Sequence, residues 1–270
     1  MNRAWILPTL LCAVMIAAAP GYVRANRLAL PAYGLFDTDE GTIEVWVRMD
    51  FEPFEPGPRY RGHGTVFHLG FGDPVFPNDR IDGSLHTVAV GARTRTGMDL
   101  RWRSILVAGG EDIIHPTVSG FHQNLRKHQW VHVAVTWSAR KRLLNVYFDG
   151  RPAGSRHFFT HREYLPSPGP DAMLTIGSSP DTSAVPRRFA LAELRVSSVA
   201  RRPEQLGFHA PVREPDRYTL LLLLFDDEHA LTPAFSALPA GESVSVPLPG
   251  FARRVEGPDG RGALAFYPEP

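Results

Sequence analysis

The chain contains a single cysteine, Cys12. It lies inside an apolar N-terminal run, so a chain that loses this run keeps no thiol. Disulfide staples, thiolate nucleophiles and cysteine metal sites are then excluded. Lysine is nearly missing as well: Lys127 and Lys141 are the only two, arginine supplies the remaining positive charge, and the net charge is +1. With no basic stripe and near-neutral charge, nucleic acid is excluded as the main partner. There is no Gly-x-Ser-x-Gly elbow and no phosphate-binding loop ending in Gly-Lys-Ser/Thr, which removes two common bases of enzymatic function. Beyond the N-terminus no apolar run approaches the roughly twenty residues that a spanning helix needs. The longest, Tyr218 to Phe225, has eight.

The N-terminus itself has the order of a secretory signal peptide: positive Arg3, the apolar run from Ala4 to Ala19, then small residues ending at Val23-Arg24-Ala25. Residues 1–25 are expected to be removed after Ala25. The mature protein is then exported, to the periplasm, the cell surface or the medium, with no stable membrane span. Cleavage takes away Arg3 and Arg24 and no acid, so the remainder stays close to neutral.

Proline (25 residues) and glycine (24) are abundant, and 43% of the chain is hydrophobic. That combination suits many short strands joined by turns around a sizeable core. Thr42 to Met49 alternates, with Ile43, Val45, Val47 and Met49 on one face and Thr42, Glu44, Trp46 and Arg48 on the other. Trp130 to Trp137 alternates too, and Leu143 to Phe148 follows it. The pair Asp149-Gly150 then marks a tight hairpin, because both turn positions tolerate positive φ. Further strands are expected at Thr65–Leu69, Leu85–Val90, Leu100–Val107, Met173–Gly177, Phe189–Val196 and Gly262–Tyr267, with one helical turn at Arg202–Leu206 and irregular chain from Asp226 to Gly250. No long amphipathic helix intervenes, so the fold class is all-β: an antiparallel two-sheet sandwich, with indole rings at Trp46, Trp130 and Trp137 filling the space between the sheets.

Several of these pieces occur in a recognisable order: Gly41-Thr42-Ile43-Glu44-Val45-Trp46-Val47, Trp130 to Trp137, Leu144 to Gly150, Leu174-Thr175-Ile176-Gly177, Ala192-Glu193-Leu194-Arg195-Val196 and Ala200-Arg201-Arg202-Pro203. Over Leu28 to Leu206 the set resembles the laminin G-like jelly roll of the concanavalin A-like lectin/glucanase superfamily. The resemblance implies a domain over residues 26–210. Residues 211–270 either begin a second sandwich or form a C-terminal extension that adds strands to the first, and the marginal stability of a lone strand pair in water favours packing back. Relatives usually carry Asp where this chain has Ala192. In the alternating pattern Ala192 shares a face with Leu194 and Val196, so one polar or metal-binding carboxylate is missing.

The resemblance implies a binding function, for carbohydrate or for an extracellular or cell-surface protein. A structural or adhesion component of an envelope assembly is the alternative, and a divergent glycoside hydrolase the third reading. Hydrolysis needs two carboxylates flanking the sugar bond. The Glu-x-Asp-x-x-Glu strand of the glucanases is absent, and neither Glu44 nor Glu193 has an acidic residue two positions away. Calcium is the ion such sandwiches hold in their loops, and it needs several oxygen ligands close together. Asp73, Asn78, Asp79 and Asp82 in the Gly72–Gly83 loop are the best set, and Asp226, Asp227 and Glu228 form a second acidic group. Tyr60, Phe76 and Trp102 are the aromatics expected to stack on a sugar. Trp102 lies between Arg101 and Arg103, which suits a polar or anionic glycan. His157 and His161, four apart, would share a metal only on a helix, and their setting is a strand or loop.

Overall fold

The computed structural model describes residues 27–31, 34–37, 39–50, 64–72, 83–94, 97–108, 111–123, 127–157, 173–177, 188–237, 246–248 and 250–267. These residues form seventeen strands: β1 (Arg27–Pro31), β2 (Glu40–Met49), β3 (Gly64–Gly72), β4 (Gly83–Thr94), β5 (Gly97–Ala108), β6 (Glu111–Gln123), β7 (Trp130–Ser138), β8 (Leu143–Phe148), β9 (Arg151–His157), β10 (Met173–Gly177), β11 (Phe189–Ser197), β12 (Thr219–Leu223), β13 (Ala230–Leu231), β14 (Phe235–Ser236), β15 (Val246–Pro247), β16 (Ala252–Glu256) and β17 (Gly262–Phe266). One short 3₁₀ turn spans Pro203–Gln205. Among the described residues no helix is long and apolar enough to cross a membrane.

Two sheets hold most of these strands. A six-stranded sheet runs β1-β10-β3-β4-β5-β6, and a nine-stranded sheet runs β14-β12-β11-β2-β7-β8-β9 with β16 and β17 attached. All pairings within them are antiparallel. The core lies between the layers. Leu28, Leu30, Leu174 and Ile176 come from the six-stranded sheet. Ile43, Val45, Val47, Met49, Val131, Val133, Val135 and Trp137 come from β2 and β7 of the other. The chain is therefore an antiparallel two-sheet sandwich, and the alternation read in Thr42–Met49 and Trp130–Trp137 is what closes it. Asp149 (φ 47) and Gly150 (φ 70) both sit at positive φ in the β8–β9 turn, the geometry a two-residue hairpin with right-handed strand twist requires.

The C-terminal strands belong to the larger sheet. On one side β11 pairs along its length with β2; on the other it pairs first with β17 (Phe189↔Phe266 to Leu191↔Leu264) and then with β12 (Leu194↔Leu223 to Ser197↔Thr219). Phe189 and Phe266 stack at 4.7 Å. Leu221, Leu223, Leu264 and Phe266 enter the same buried cluster as Ile43 and Trp137, each contributing about 1.5–3 kcal/mol of transfer free energy.

Two expectations need correction. Trp137 lies between the sheets, fully buried and stacked on Phe36 at 4.7 Å with its Nε1 donating to Asp37 O. Trp46 and Trp130, in contrast, lie on the outer face of the nine-stranded sheet with Ala192, Ala263 and Val255. The period-2 alternation of β2 demands this for Trp46, since its neighbours Val45 and Val47 point inward. The second correction concerns Ala192. The β11–β2 register passes from Ala192↔Trp46 to Leu194↔Val45, leaving Glu193 as an extra residue at φ 43. Such a bulge resets the alternation. Leu194 and Val196 face the core, while Ala192 faces outward against Trp46.

Candidate functional site

The outer face of the nine-stranded sheet carries a buried cluster of acidic and basic groups. Glu44 on β2, opposite Arg195 on β11 and Ala134 on β7, points to this face because Ile43 and Val45 point inward. Its side chain has 0% exposure. Glu44 Oε1 accepts from Arg195 Nε at 2.6 Å; Oε2 accepts from the Gly207 N–H at 2.8 Å and from His132 Nε2 at 3.1 Å. Burial alone would raise its pKa. The His132 hydrogen bond, the Arg195 charge and the Gly207 amide reverse that and hold Glu44 below the usual carboxylate range.

Glu193 faces the opposite balance. The bulge brings its carboxyl to the same outer face, 2% exposed. Val212 N–H donates to Oε2 at 2.5 Å, and Oε1 has no hydrogen-bond partner. Burial, with the nearby Glu44 charge adding to it, pushes the Glu193 pKa up to about 8. Glu44 is thus ionised and Glu193 protonated at neutral pH, the difference that a hydrolytic acid/base pair exploits. Sequence inspection along each strand missed this proximity because the two acids are neighbours across strands. The available signal was lateral: two strands carrying outward Glu residues that pair with each other.

The pair is sealed, however. The chain after β11 crosses directly above it. Arg195 also bonds Gln205 O at 3.2 Å, and Trp46 Nε1 bonds Gly207 O at 3.2 Å. Arg201 is tied to Ser197 Oγ at 2.9 Å and to Asp216 at 2.8 Å, while its backbone N–H donates to Thr42 Oγ1 at 2.9 Å. Gly207 is packed so closely that a Cβ there would lie 2.9 Å from Val212 Cγ2 and 3.5 Å from Glu193 Oε1. A sugar has no path to either carboxylate in this arrangement. What the cluster does is clamp residues 201–216 onto the sheet.

An open groove of about 540 Å³ lies at the β16–β17 hairpin, lined by Glu228, His229, Arg254, Val255, Glu256, Gly260 and Arg261. The β16–β17 hairpin supplies one wall. Its turn is fixed by Gly257 N–H to Arg261 O at 2.6 Å and by Gly260 at φ +78, a conformation that suits glycine. Asp259 in that turn is gripped by Arg213 at 2.5 Å. Val255 packs on the Trp46 cluster, while its strand neighbours Arg254 and Glu256 alternate to the other face of β16. Arg254 reaches Glu228 at 3.4 Å, and both are exposed. The groove therefore offers forked cationic donors and carboxylate acceptors side by side.

The residues expected from the sequence fall elsewhere. Tyr60, Phe76, Asp73, Asn78, Asp79 and Asp82 lie outside the described residues. Trp102 is on β5, opposite Val88 and Val118, five positions from Val107. That separates it by roughly 17 Å along the strand from the end at which Gly83 pairs with Val107. Asp226, Asp227 and Glu228 do not converge on a metal. Asp226 accepts from Gly262 N–H and pairs with Arg213; Asp227 accepts from the His229 and Ala230 amides; Glu228 pairs with Arg254. Among the described residues no group of three His, Cys, Asp or Glu side chains is placed to hold a metal ion. His157 ends strand β9, opposite Leu143.

The family model Laminin_G_3, described as Concanavalin A-like lectin/glucanases superfamily, matches residues 23–207, more than half of the chain. No curated protein matches. Solved structures similar to this chain include a candidate carbohydrate-binding protein from Bacteroides ovatus (14% identity, 89% of this chain and 54% of that one, TM-score 0.45). Others are the heptameric SAP-like pentraxin of Limulus polyphemus (16%, 66% and 71%, 0.39) and the CBM40 of Ruminococcus gnavus IT-sialidase bound to α2,3-sialyllactose (10%, 65% and 84%, 0.39). The chain spans about half the length of the Bacteroides protein. All three are too distant to carry a ligand assignment to this chain.

Proposed function

The chain belongs to the Laminin_G_3 family of the concanavalin A-like lectin/glucanases superfamily, and from that premise we propose that it is an exported, non-enzymatic module that binds carbohydrate. Fold alone is a weak warrant, since one fold hosts many functions. The observation that carries the reading is the contrast between a covered carboxylate pair and an accessible polar groove. The only described carboxylates driven into opposite protonation states are covered by residues 201–216, whereas the accessible groove carries Arg254, Arg261, Glu228 and Glu256. Vicinal sugar hydroxyls both donate and accept, so a mixed set of guanidinium donors and carboxylate acceptors suits them.

The test is equilibrium binding of the mature chain to a panel of neutral and charged oligosaccharides, with each ligand analysed by mass spectrometry after incubation. Saturable binding, weakened about tenfold by Arg254→Ala or Glu256→Ala, with the oligosaccharide recovered intact, is expected. Cleavage of a glycan that disappears in Glu193→Gln would replace this reading with hydrolysis. Binding to cell-surface protein with silence across the panel would replace carbohydrate by protein as the partner.

A further inference from the structure

Trp130, Arg48, Ala190, Ala265 and Arg253 are consecutive partners across β7, β2, β11, β17 and β16. They form one transverse row on the outer face. Arg48 Nη1 donates to Glu256 O at 3.3 Å. Arg48 is fully employed. Its guanidinium lies 5.0 Å from the Trp130 ring and makes two bonds to Asp50, at 2.7 and 3.1 Å, while Asp50 also meets His128.

At the far end of this row the charges are not balanced. Tyr267 follows β17 and is half-buried, and two exposed guanidiniums, Arg188 and Arg253, each lie 5.5 Å from its ring centroid. Among the described residues neither has a carboxylate within ion-pairing distance. Asp50, whose backbone N–H donates to Arg188 O, has its carboxylate paired with Arg48 and His128. Both guanidiniums thus lie within reach of one aromatic ring.

We propose that Arg188 and Arg253, held about Tyr267, form an anion-binding site for a carboxylated oligosaccharide. The planar fork of a guanidinium matches a planar carboxylate with two parallel hydrogen bonds, and two such forks at one ring fit adjacent acidic sugars of a polyuronate. The site is separate from the groove at Arg254. This assignment rests on the carbohydrate-binding reading for the nature of its ligand, and on two arginines without a carboxylate partner among the described residues for its charge.

The experiment measures binding of oligogalacturonate and oligoalginate to the purified chain at 50 and 200 mM salt, beside their methyl-esterified forms, a sulfated neutral oligosaccharide and the neutral panel. The acidic forms are expected to bind and the esters not, with affinity falling as salt rises. Arg188→Ala and Arg253→Ala should each cost between about tenfold and a hundredfold. Arg253→Lys, which keeps charge but loses the fork, should fall between. Both arginines are exposed, so the melting temperature of each variant should match the parent. Equal binding of acid and ester, preference for the sulfated ligand, or indifference to both arginine variants overturns the site while leaving the groove reading intact if neutral glycans still bind. Silence toward every glycan overturns both.

Discussion

Replacing Glu193 by Gln should flatten the dependence of stability on pH. In the folded chain burial and the Glu44 charge raise the Glu193 pKa from 4.5 to about 8; in the unfolded chain it returns to its ordinary value. Between these limits the folded state holds a proton that the unfolded state has released, so stability falls as pH rises. The contribution is fully present below the unfolded value and gone above about 8. At roughly 1.4 kcal/mol per pH unit the full span is worth on the order of 5 kcal/mol. Glutamine cannot ionise, yet its amide oxygen can still accept from the Val212 N–H. Urea denaturation of parent and Glu193→Gln from pH 5 to 9, compared as a difference, removes the contributions of the other acids. The parent should lose several kcal/mol relative to the variant across this window, mostly before pH 8. Parallel curves would refute the claim that a protonated carboxyl is buried beside Glu44.

Other substitutions read other parts of the account. Glu44→Ala leaves Arg195 buried without its carboxylate partner, and should cost about 3–5 kcal/mol, read as a lowered midpoint in urea. Gly41→Ala places a Cβ 2.0 Å from Cζ2 of the fully buried Trp137 ring; about 3 kcal/mol of overpacking is expected, with a changed tryptophan fluorescence. Gly207→Ala crowds Val212 and Glu193, should cost about 1–3 kcal/mol, and should speed proteolysis within residues 201–216. Arg254→Ala removes only an exposed ion pair with Glu228, so stability should stay within about 0.5 kcal/mol while glycan affinity drops.

The sandwich was legible where one rule sufficed. Strict alternation in β2 and β7 sorts inward from outward side chains, and Asp149-Gly150 marks its hairpin by the φ it permits. Strand β6 escaped notice because it contains Pro116 and Gly120, which weaken a strand reading. It is an edge strand, and its pairing with β5 slips between Arg103 and Ile105, next to the proline, where proline is tolerated. Strand β16 was hidden by Arg253, Arg254 and Glu256, a polar composition that an edge hairpin allows. Glu193 was the most consequential omission. A bulge has no reliable one-strand signature, so neither the outward turn of Ala192 nor the approach of Glu193 to Glu44 follows from alternation. Residues of the groove come from β16, the turn before β17 and the link after β12, and only lateral pairing brings them together.

The most direct test of the central claim is to incubate the mature chain with an oligosaccharide it binds, then measure both occupancy and ligand mass over hours. The account predicts saturable binding that Arg254→Ala weakens and Glu193→Gln does not, with the ligand mass unchanged. Appearance of shorter products, lost on replacing Glu44 or Glu193, would contradict it.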